Sequence, residues 1–384
     1  MTNQNWFSDF VVFVQRLFST DTFIPLHEPR FRGNERQYVI DAIESTYVSS
    51  VGEYVNTFEK TIEKYTGAEF AIATNNGTSA LHTALLLSGA GDGNEVITQP
   101  LTFVATCNAI SYSGAKPVFV DIESSTLGLS PESLGAFINE YAEVRDDGLC
   151  WNIKSNNIIR SCIPMHTLGH PARTTEIGEI CSEYNICLIE DASESLGSFR
   201  NGLHTGRAGK MGTLSFNGNK VVTTGGGGAI ITDDEQLAKR ARKLTTTARK
   251  IHPWLYEHDE LGFNYRLPNL NAALGVAQME QLPYYIKSKR KLAKEYQKWC
   301  EEKGVEIFME PPDTCSNYWL NALDLKDLDM RDKFLEYTNS RYVMTRPMWT
   351  LMTDLPMYQN CLRADLSNSR AAGCSLVNIP SSVV

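Results

Sequence analysis

The chain has 384 residues, with 36 Lys and Arg against 45 Asp and Glu, a formal net charge of -9, 42% hydrophobic residues and 21% charged residues. This length exceeds what one hydrophobic core usually serves, and the composition excludes a disordered, collagen-like or low-complexity chain. The negative balance repels polyanions at long range, which argues against nucleic acid as the main partner and means that an anionic small molecule needs a local basic pocket.

In chain order, the first apolar stretch covers residues 6–18. Asp9, Gln15 and Arg16 interrupt it, it is too short to cross a bilayer, and it lacks a basic start and a small-residue cleavage site, so it does not read as a signal peptide. Trp6, Phe10, Phe13, Val14 and Leu17 recur at helical spacing, which predicts a helix packed on its own fold or on a partner subunit, with membrane-surface contact as the alternative. From about residue 35 to 245, short β-branched runs alternate with amphipathic stretches, the pattern of an α/β domain with a mostly parallel sheet covered by helices. Strands are expected at 70–74, 95–98, 117–120, 158–164, 186–190, 212–216 and 228–231, and helices at 175–184 and 233–244. Thr232 followed by Glu235 has the form of a capping box.

After about residue 280 the pattern changes to a long charged helix, 285–303, then a mixed segment with Pro311-Pro312 and aromatic residues near Trp349. The expected organisation is an N-terminal helix and arm over 1–34, a large α/β domain over 35–279 and a smaller α+β domain over 280–384. No internal repeat occurs. The nine cysteines are scattered without a C-x-x-C pair, as expected of reduced thiols in the cytoplasm rather than a disulfide framework or structural zinc.

Three features fall at strand ends, where ligands bind in open α/β sheets. Asn75-Asn76-Gly77-Thr78-Ser79-Ala80 leads from a strand into a helix, so its free backbone N–H groups and dipole offer a phosphate site, although Thr and Ser are also common helix caps. Asp191 ends a buried strand; a carboxylate there needs a cation or strong donor, such as a protonated pyridine nitrogen, or it caps the following turn. Lys220 lies between two strands and is followed by Gly225 to Gly228, which places it inside the fold, where burial lowers a lysine's pKa and suits it to Schiff-base chemistry. Taken singly, each has an ordinary structural explanation, but their order, phosphate turn, aspartate, lysine, is far more specific.

Other chemistries fit less well. His166 and His170 have zinc-pair spacing but lack the glutamate, and Gly169 and Pro171 break a helix there, so no metal is expected. Gly218-Asn219-Lys220 lacks the residues of a Walker A loop, and no dinucleotide fingerprint is present. Asp191 and Glu194 could suggest a glycosidase pair, but beside a lysine they read better as cofactor ligands.

From residue 24 to the C-terminus the chain resembles the DegT/DnrJ/EryC1/StrS family of sugar aminotransferases, of pyridoxal-phosphate (PLP) fold type I. The resemblance rests on Asn76-Gly77-Thr78-Ser79-Ala80, Thr102-Phe103-Val104-Ala105-Thr106, Glu190-Asp191-Ala192, Ser215-Phe216 through Lys220, Thr223-Thr224 with the glycine run, and Gly262-Phe263-Asn264-Tyr265-Arg266. It implies that Lys220 forms the internal aldimine with PLP and that Asp191 pairs with the pyridine nitrogen. It further implies that Gly77, Thr78, Ser79 and Ser215 hold the phosphate, that Phe103 stacks on the ring, and that Asn264 reaches the phosphate of a neighbouring subunit in a homodimer with shared active sites. Related dehydratases carry histidine at the lysine position, so Lys220 speaks for an aminotransferase, and the intact set speaks against a non-catalytic sensor or scaffold.

Two departures matter. Glu194 stands where many members have Gln, and four glycines stand where many have Gly-Glu-Gly-Gly. With Arg346-Pro347-Met348-Trp349-Thr350-Leu351-Met352, they are similar to the 4-aminotransferases of the legionaminic acid and bacillosamine pathways. That similarity implies L-glutamate as donor and carbon 4 of a UDP-linked 2-acetamido-4-keto-6-deoxy hexose as acceptor, with a dTDP-linked or 3-keto sugar as the alternative. Glu194 would then contact cofactor or sugar, while Arg30, Arg32, Arg266 and Arg346 are candidates for the diphosphate.

Overall fold

The computed structural model describes residues 5–384. Its central sheet runs Phe70–Thr74, Gly228–Thr232, Met211–Ser215, Cys187–Asp191, Asn157–Ile163, Asn94–Thr98, Lys116–Phe119 from one edge to the other. The strands from Met211–Ser215 to Lys116–Phe119 pair in parallel. Gly228–Thr232 is antiparallel to both of its neighbours, pairing Gly228 with Thr74 on one side and with Ser215 on the other. It therefore delivers its first residue to the edge where Thr74, Ser215 and Asp191 end, and that shared edge positions the site.

Strand limits differ from the sequence expectation by a residue at several ends, as at Cys187–Asp191 and Met211–Ser215. The capping box is a clear correction. Thr232 is still part of its strand and donates its hydroxyl to Lys210 O at 2.8 Å. Asp234 caps the helix Glu235–Thr245 instead, accepting from the amides of Gln236 and Leu237 at 2.8 and 3.0 Å. A carboxylate at this position satisfies two free donors and the helix dipole together.

The long helix is Asn269–Lys303, 35 residues, and it continues through Pro283 rather than starting after it. Met279, Leu282 and Tyr285 are buried around that proline, so packing outweighs the lost hydrogen bond and the sequence signal for a break is overridden. The helix crosses positions 279 and 280 and joins the central sheet region to a small antiparallel sheet ordered Glu306–Ile307, Asn321–Asp324, Leu376–Ile379, Arg346–Pro347.

The helix Asn5–Phe18 buries Phe7, Phe10, Phe13 and Val14 against Tyr296, Trp299 and Phe334 of this smaller region. Phe13 stacks on Trp299 with ring centroids 5.4 Å apart. Each buried ring contributes roughly 2 kcal/mol, so this apolar face is committed to its own fold rather than to a membrane surface. Among the described residues no helix is long and apolar enough to cross a membrane.

Candidate active site

At the shared strand edge lies a cavity of about 310 Å³, lined by the turn Asn76-Gly77-Thr78, by Phe103, Thr106, Asp191, Glu194, Ser215 and Lys220, and by Asn217, Asn219, Trp319 and Trp349. Asn76 caps the helix Gly77–Leu87: its Oδ1 accepts from Ser79 N at 2.7 Å, and its carbonyl accepts from Ala80 N at 3.2 Å. The first two amides, those of Gly77 and Thr78, are left without helical partners, and both residues line the cavity. A Cβ on Gly77 would stand 2.9 Å from that of Ser215, and one on Gly228 would stand 2.4 Å from Asn76 O. Glycine at both positions is what lets the Ser215 hydroxyl approach the helix mouth.

Asp191 is 2% exposed. Its carboxylate accepts from Thr106 Oγ1 at 2.7 Å and from Ser193 N at 3.1 Å, and no Lys, Arg or His among the described residues pairs with it. A buried carboxylate that faces a cavity without a cation is costly unless a ligand brings one. Behind it, Glu190 accepts from the amides of Gly206, Ala208 and Gly209 and from His166 Nε2 at 2.9 Å. His166 Nδ1 accepts from Ala172 N at 3.0 Å, which leaves Nε2 as the donor to Glu190. His166 and His170 flank a short turn, Thr167–Gly169.

Lys220 Nζ lies 3.2 Å from Glu194 Oε1 and 3.9 Å from the centre of the Trp319 ring. Glu194 is 2% exposed, and burial raises its carboxyl to about 7 against the opposing pull of Lys220. Its Oε2 accepts from Leu168 N at 3.0 Å. Trp319 is fixed in turn, donating Nε1–H to Asn219 O at 2.7 Å. Phe103 stands at the mouth, half exposed, with Trp349 edge-on at 6.3 Å.

The sequence candidates thus divide. Gly77, Thr78, Phe103, Asp191, Glu194, Ser215 and Lys220 converge on the cavity, while Ser79 is buried beside it with its amide used by the cap. Asn264 and Arg266 lie at a separate surface depression with Arg249, His252 and Tyr256. Arg266 is further engaged by Glu59 at 2.6 Å, and the exposed Arg346 bonds Asn339 Oδ1 at 3.1 Å, so neither guanidinium faces the cavity. Arg30 donates to Val383 O at 3.0 Å, and Arg32 lies against Tyr284. Sequence reasoning did not single out Trp319, Asn217 or Asn219. Trp319 carries no local signal, because only the long-range return of the chain brings it under Lys220.

The residues present fit pyridoxal phosphate. Two unpartnered helix amides and a serine hydroxyl suit a phosphate, a lone buried carboxylate suits a protonated ring nitrogen, and an interior lysine suits a carbonyl carbon. The fold and the cavity together define a PLP-dependent aminotransferase. The chain belongs to the DegT/DnrJ/EryC1/StrS aminotransferase family, whose family model matches residues 29–383, and it is accordingly a PLP-dependent sugar aminotransferase by family. It is 33% identical to GDP-perosamine synthase of Escherichia coli O157:H7 over 336 residues, 88% of this chain and 87% of that one. It is 32% identical to GDP-perosamine synthase of Caulobacter vibrioides, over 93% of this chain and 92% of that one. Its fold is similar to that of Helicobacter pylori PseC, an aminotransferase of pseudoaminic acid biosynthesis, with a TM-score of 0.84 at 22% identity over 94% of both chains.

Proposed function

We propose that the chain moves an amino group from L-glutamate to carbon 4 of a UDP-linked 2-acetamido-4-keto-6-deoxy hexose, giving a 4-amino sugar for cell-surface glycan synthesis in the cytoplasm. The observation that carries the chemistry is the meeting of Lys220, the cation-less Asp191 and the free amides of Gly77 and Thr78 in one cavity. The choice of sugar rests on the resemblance of Glu194, the four-glycine run and residues 346–352 to 4-aminotransferases. Names among the relatives and similar structures include GDP-perosamine and a TDP-sugar product, so the test compares nucleotides directly.

When bound, pyridoxal phosphate supplies the electron sink for the electrons of the broken C–H bond. The chain does the rest. The amides of Gly77 and Thr78, with the hydroxyls of Thr78, Ser79 and Ser215, hold the phosphate at the helix mouth. Asp191 keeps a proton on the ring nitrogen, and Thr106 holds Asp191 in place. Phe103 covers one face and excludes water. Lys220 would hold the cofactor and, as a free amine, would take and return the proton on the substrate carbon. Glu194 contacts cofactor or sugar beside it. Asn264, outside its own cavity, serves the phosphate of the partner in a homodimer. In domain terms, residues 35–279 bind the cofactor, while 1–34 and 280–384 complete the fold around it.

The test is a panel of UDP-, dTDP- and GDP-linked 4-keto sugars, with and without the 2-acetamido group, at equal concentrations with glutamate. Mass spectrometry should show the UDP-linked 2-acetamido sugar aminated fastest. A clear preference for another nucleotide, or for a 3-keto sugar, overturns the substrate while leaving the lysine chemistry intact.

A further inference from the structure

Lys220 and Glu194 form a closed pair. Lys220 Nζ meets Glu194 Oε1 at 3.2 Å, and the other carboxylate oxygen is fixed by Leu168 N at 3.0 Å. The main chain at Glu194 is pinned as well, since its carbonyl accepts from Asn317 Nδ2 at 2.8 Å. The other acid lining the cavity among the described residues, Asp191, is occupied by Thr106 and Ser193. The remaining titratable groups nearby are basic. His27, on the N-terminal strap, is kept neutral, first by burial and then by the charges of Lys289, Lys220 and Arg30. Lys289, on the Asn269–Lys303 helix, bonds the carbonyl of Trp319 at 3.2 Å, behind the ring that faces Lys220.

We propose that Glu194 is the proton-holding partner of Lys220, taking the ammonium proton when the lysine must become a neutral amine and returning it afterwards. In the transfer the N–H bond at Nζ breaks, an O–H bond forms on Oε1, the ammonium becomes an amine and the carboxylate a carboxylic acid, so the net charge of the pair does not change. Burial raises the Glu194 carboxyl, which narrows the free-energy gap between the ion pair and the neutral pair, and the 3.2 Å contact gives the proton a direct path. A lysine can attack a carbonyl carbon only as the neutral amine, so a built-in acceptor removes the need for a water molecule or an outside base. A glutamine here could hold the lysine by a hydrogen bond but could not store its proton. This inference rests on Lys220 being the attachment residue.

The experiment labels cofactor-free wild type, Glu194→Gln and Glu194→Asp with a trace amine-reactive anhydride across pH, and reads the Lys220 peptide by mass spectrometry. Removing the anion should lower the Lys220 midpoint by at least one pH unit, which is about ten-fold more label at a fixed pH below the midpoint, with Glu194→Asp in between. Infrared difference spectra of holoenzyme against cofactor-free enzyme should show a protonated carboxyl band that Glu194→Gln abolishes. A Lys220 midpoint that does not move in Glu194→Gln, or a carboxyl band that survives it, overturns the proposal. Borohydride reduction of holoenzyme and peptide mapping report separately whether the cofactor is on Lys220 at all, so failure of the attachment reading is distinguishable.

Discussion

Thr106 donates its hydroxyl to Asp191 Oδ2 across 2.7 Å, and among the described residues that hydroxyl and one backbone amide are what the Asp191 carboxylate has in place of a counter-cation. The pair comes from different elements: Thr106 is in the first turn of the helix Val104–Tyr112, and Asp191 ends the strand Cys187–Asp191. If the carboxylate holds the ring proton, Asp191→Asn should lower single-turnover proton transfer by roughly 10²- to 10⁴-fold at saturating cofactor, with little change in melting temperature. Thr106→Val should lower it by about ten-fold, because the charge remains and only its aim is lost. Unchanged turnover in Asp191→Asn would reduce that residue to a turn cap.

Lys220→Ala should abolish turnover and leave no cofactor fixed by borohydride, while the phosphate contacts proposed at Gly77, Thr78 and Ser215 should still retain the cofactor reversibly. Equilibrium dialysis and mass spectrometry separate the two effects. Near-normal turnover would remove Lys220 from the chemistry.

Local sequence signals sufficed wherever a residue's partners are close in the chain. The strand Phe70–Thr74 and the glycine turn after it follow from β-branched patterning and from cap chemistry within a few residues. Asp191 stands out because it ends a buried strand, and Lys220 because it lies in the loop between two strands. The chain is less legible where partners are distant. Trp319 meets Lys220 from a distant part of the chain, and the long helix, expected over 285–303, begins at Asn269 because the burial of Met279, Leu282 and Tyr285 carries it through Pro283. Thr232 and Asp234 show a subtler failure: both fit a cap locally, and the ladder that keeps Thr232 extended decides between them. The arginines proposed for the diphosphate are hardest to read, since guanidinium partners such as Glu59 for Arg266 are set by tertiary approach alone.

Asn264 and its depression with Arg249 and Tyr256 stand apart from the chain's own cavity. Mixing Lys220→Ala with an Asn264→Ala variant should then restore activity to a measurable fraction, at most about one quarter of wild type by random reassortment, because one site of the heterodimer regains both residues. Native mass spectrometry confirms subunit exchange. Exchanged but inactive heterodimers would count against a shared site.

Lys289 gives a prediction for stability rather than turnover. Its ammonium is fully buried, bonds the carbonyls of Trp319 and Ser381, and has no acid partner among the described residues. Burial lowers its pKa from an ordinary 10.5 to about 7. The unfolded chain keeps the ordinary value, so between those two pH values the unfolded state binds more protons and this group makes stability rise with pH, by as much as ~1.4 kcal/mol per unit. Below about 7 both states are protonated and the slope from this group vanishes. Lys289→Met removes the titration but orphans two carbonyls, at a cost of ~1–3 kcal/mol that does not depend on pH. Urea unfolding of cofactor-free wild type and Lys289→Met, taken from acid to alkaline pH, should give a stability difference that is flat in acid and shifts in favour of wild type as pH climbs above neutrality. Two curves that stay parallel over the whole range would mean that Lys289 keeps its ordinary proton affinity inside the fold.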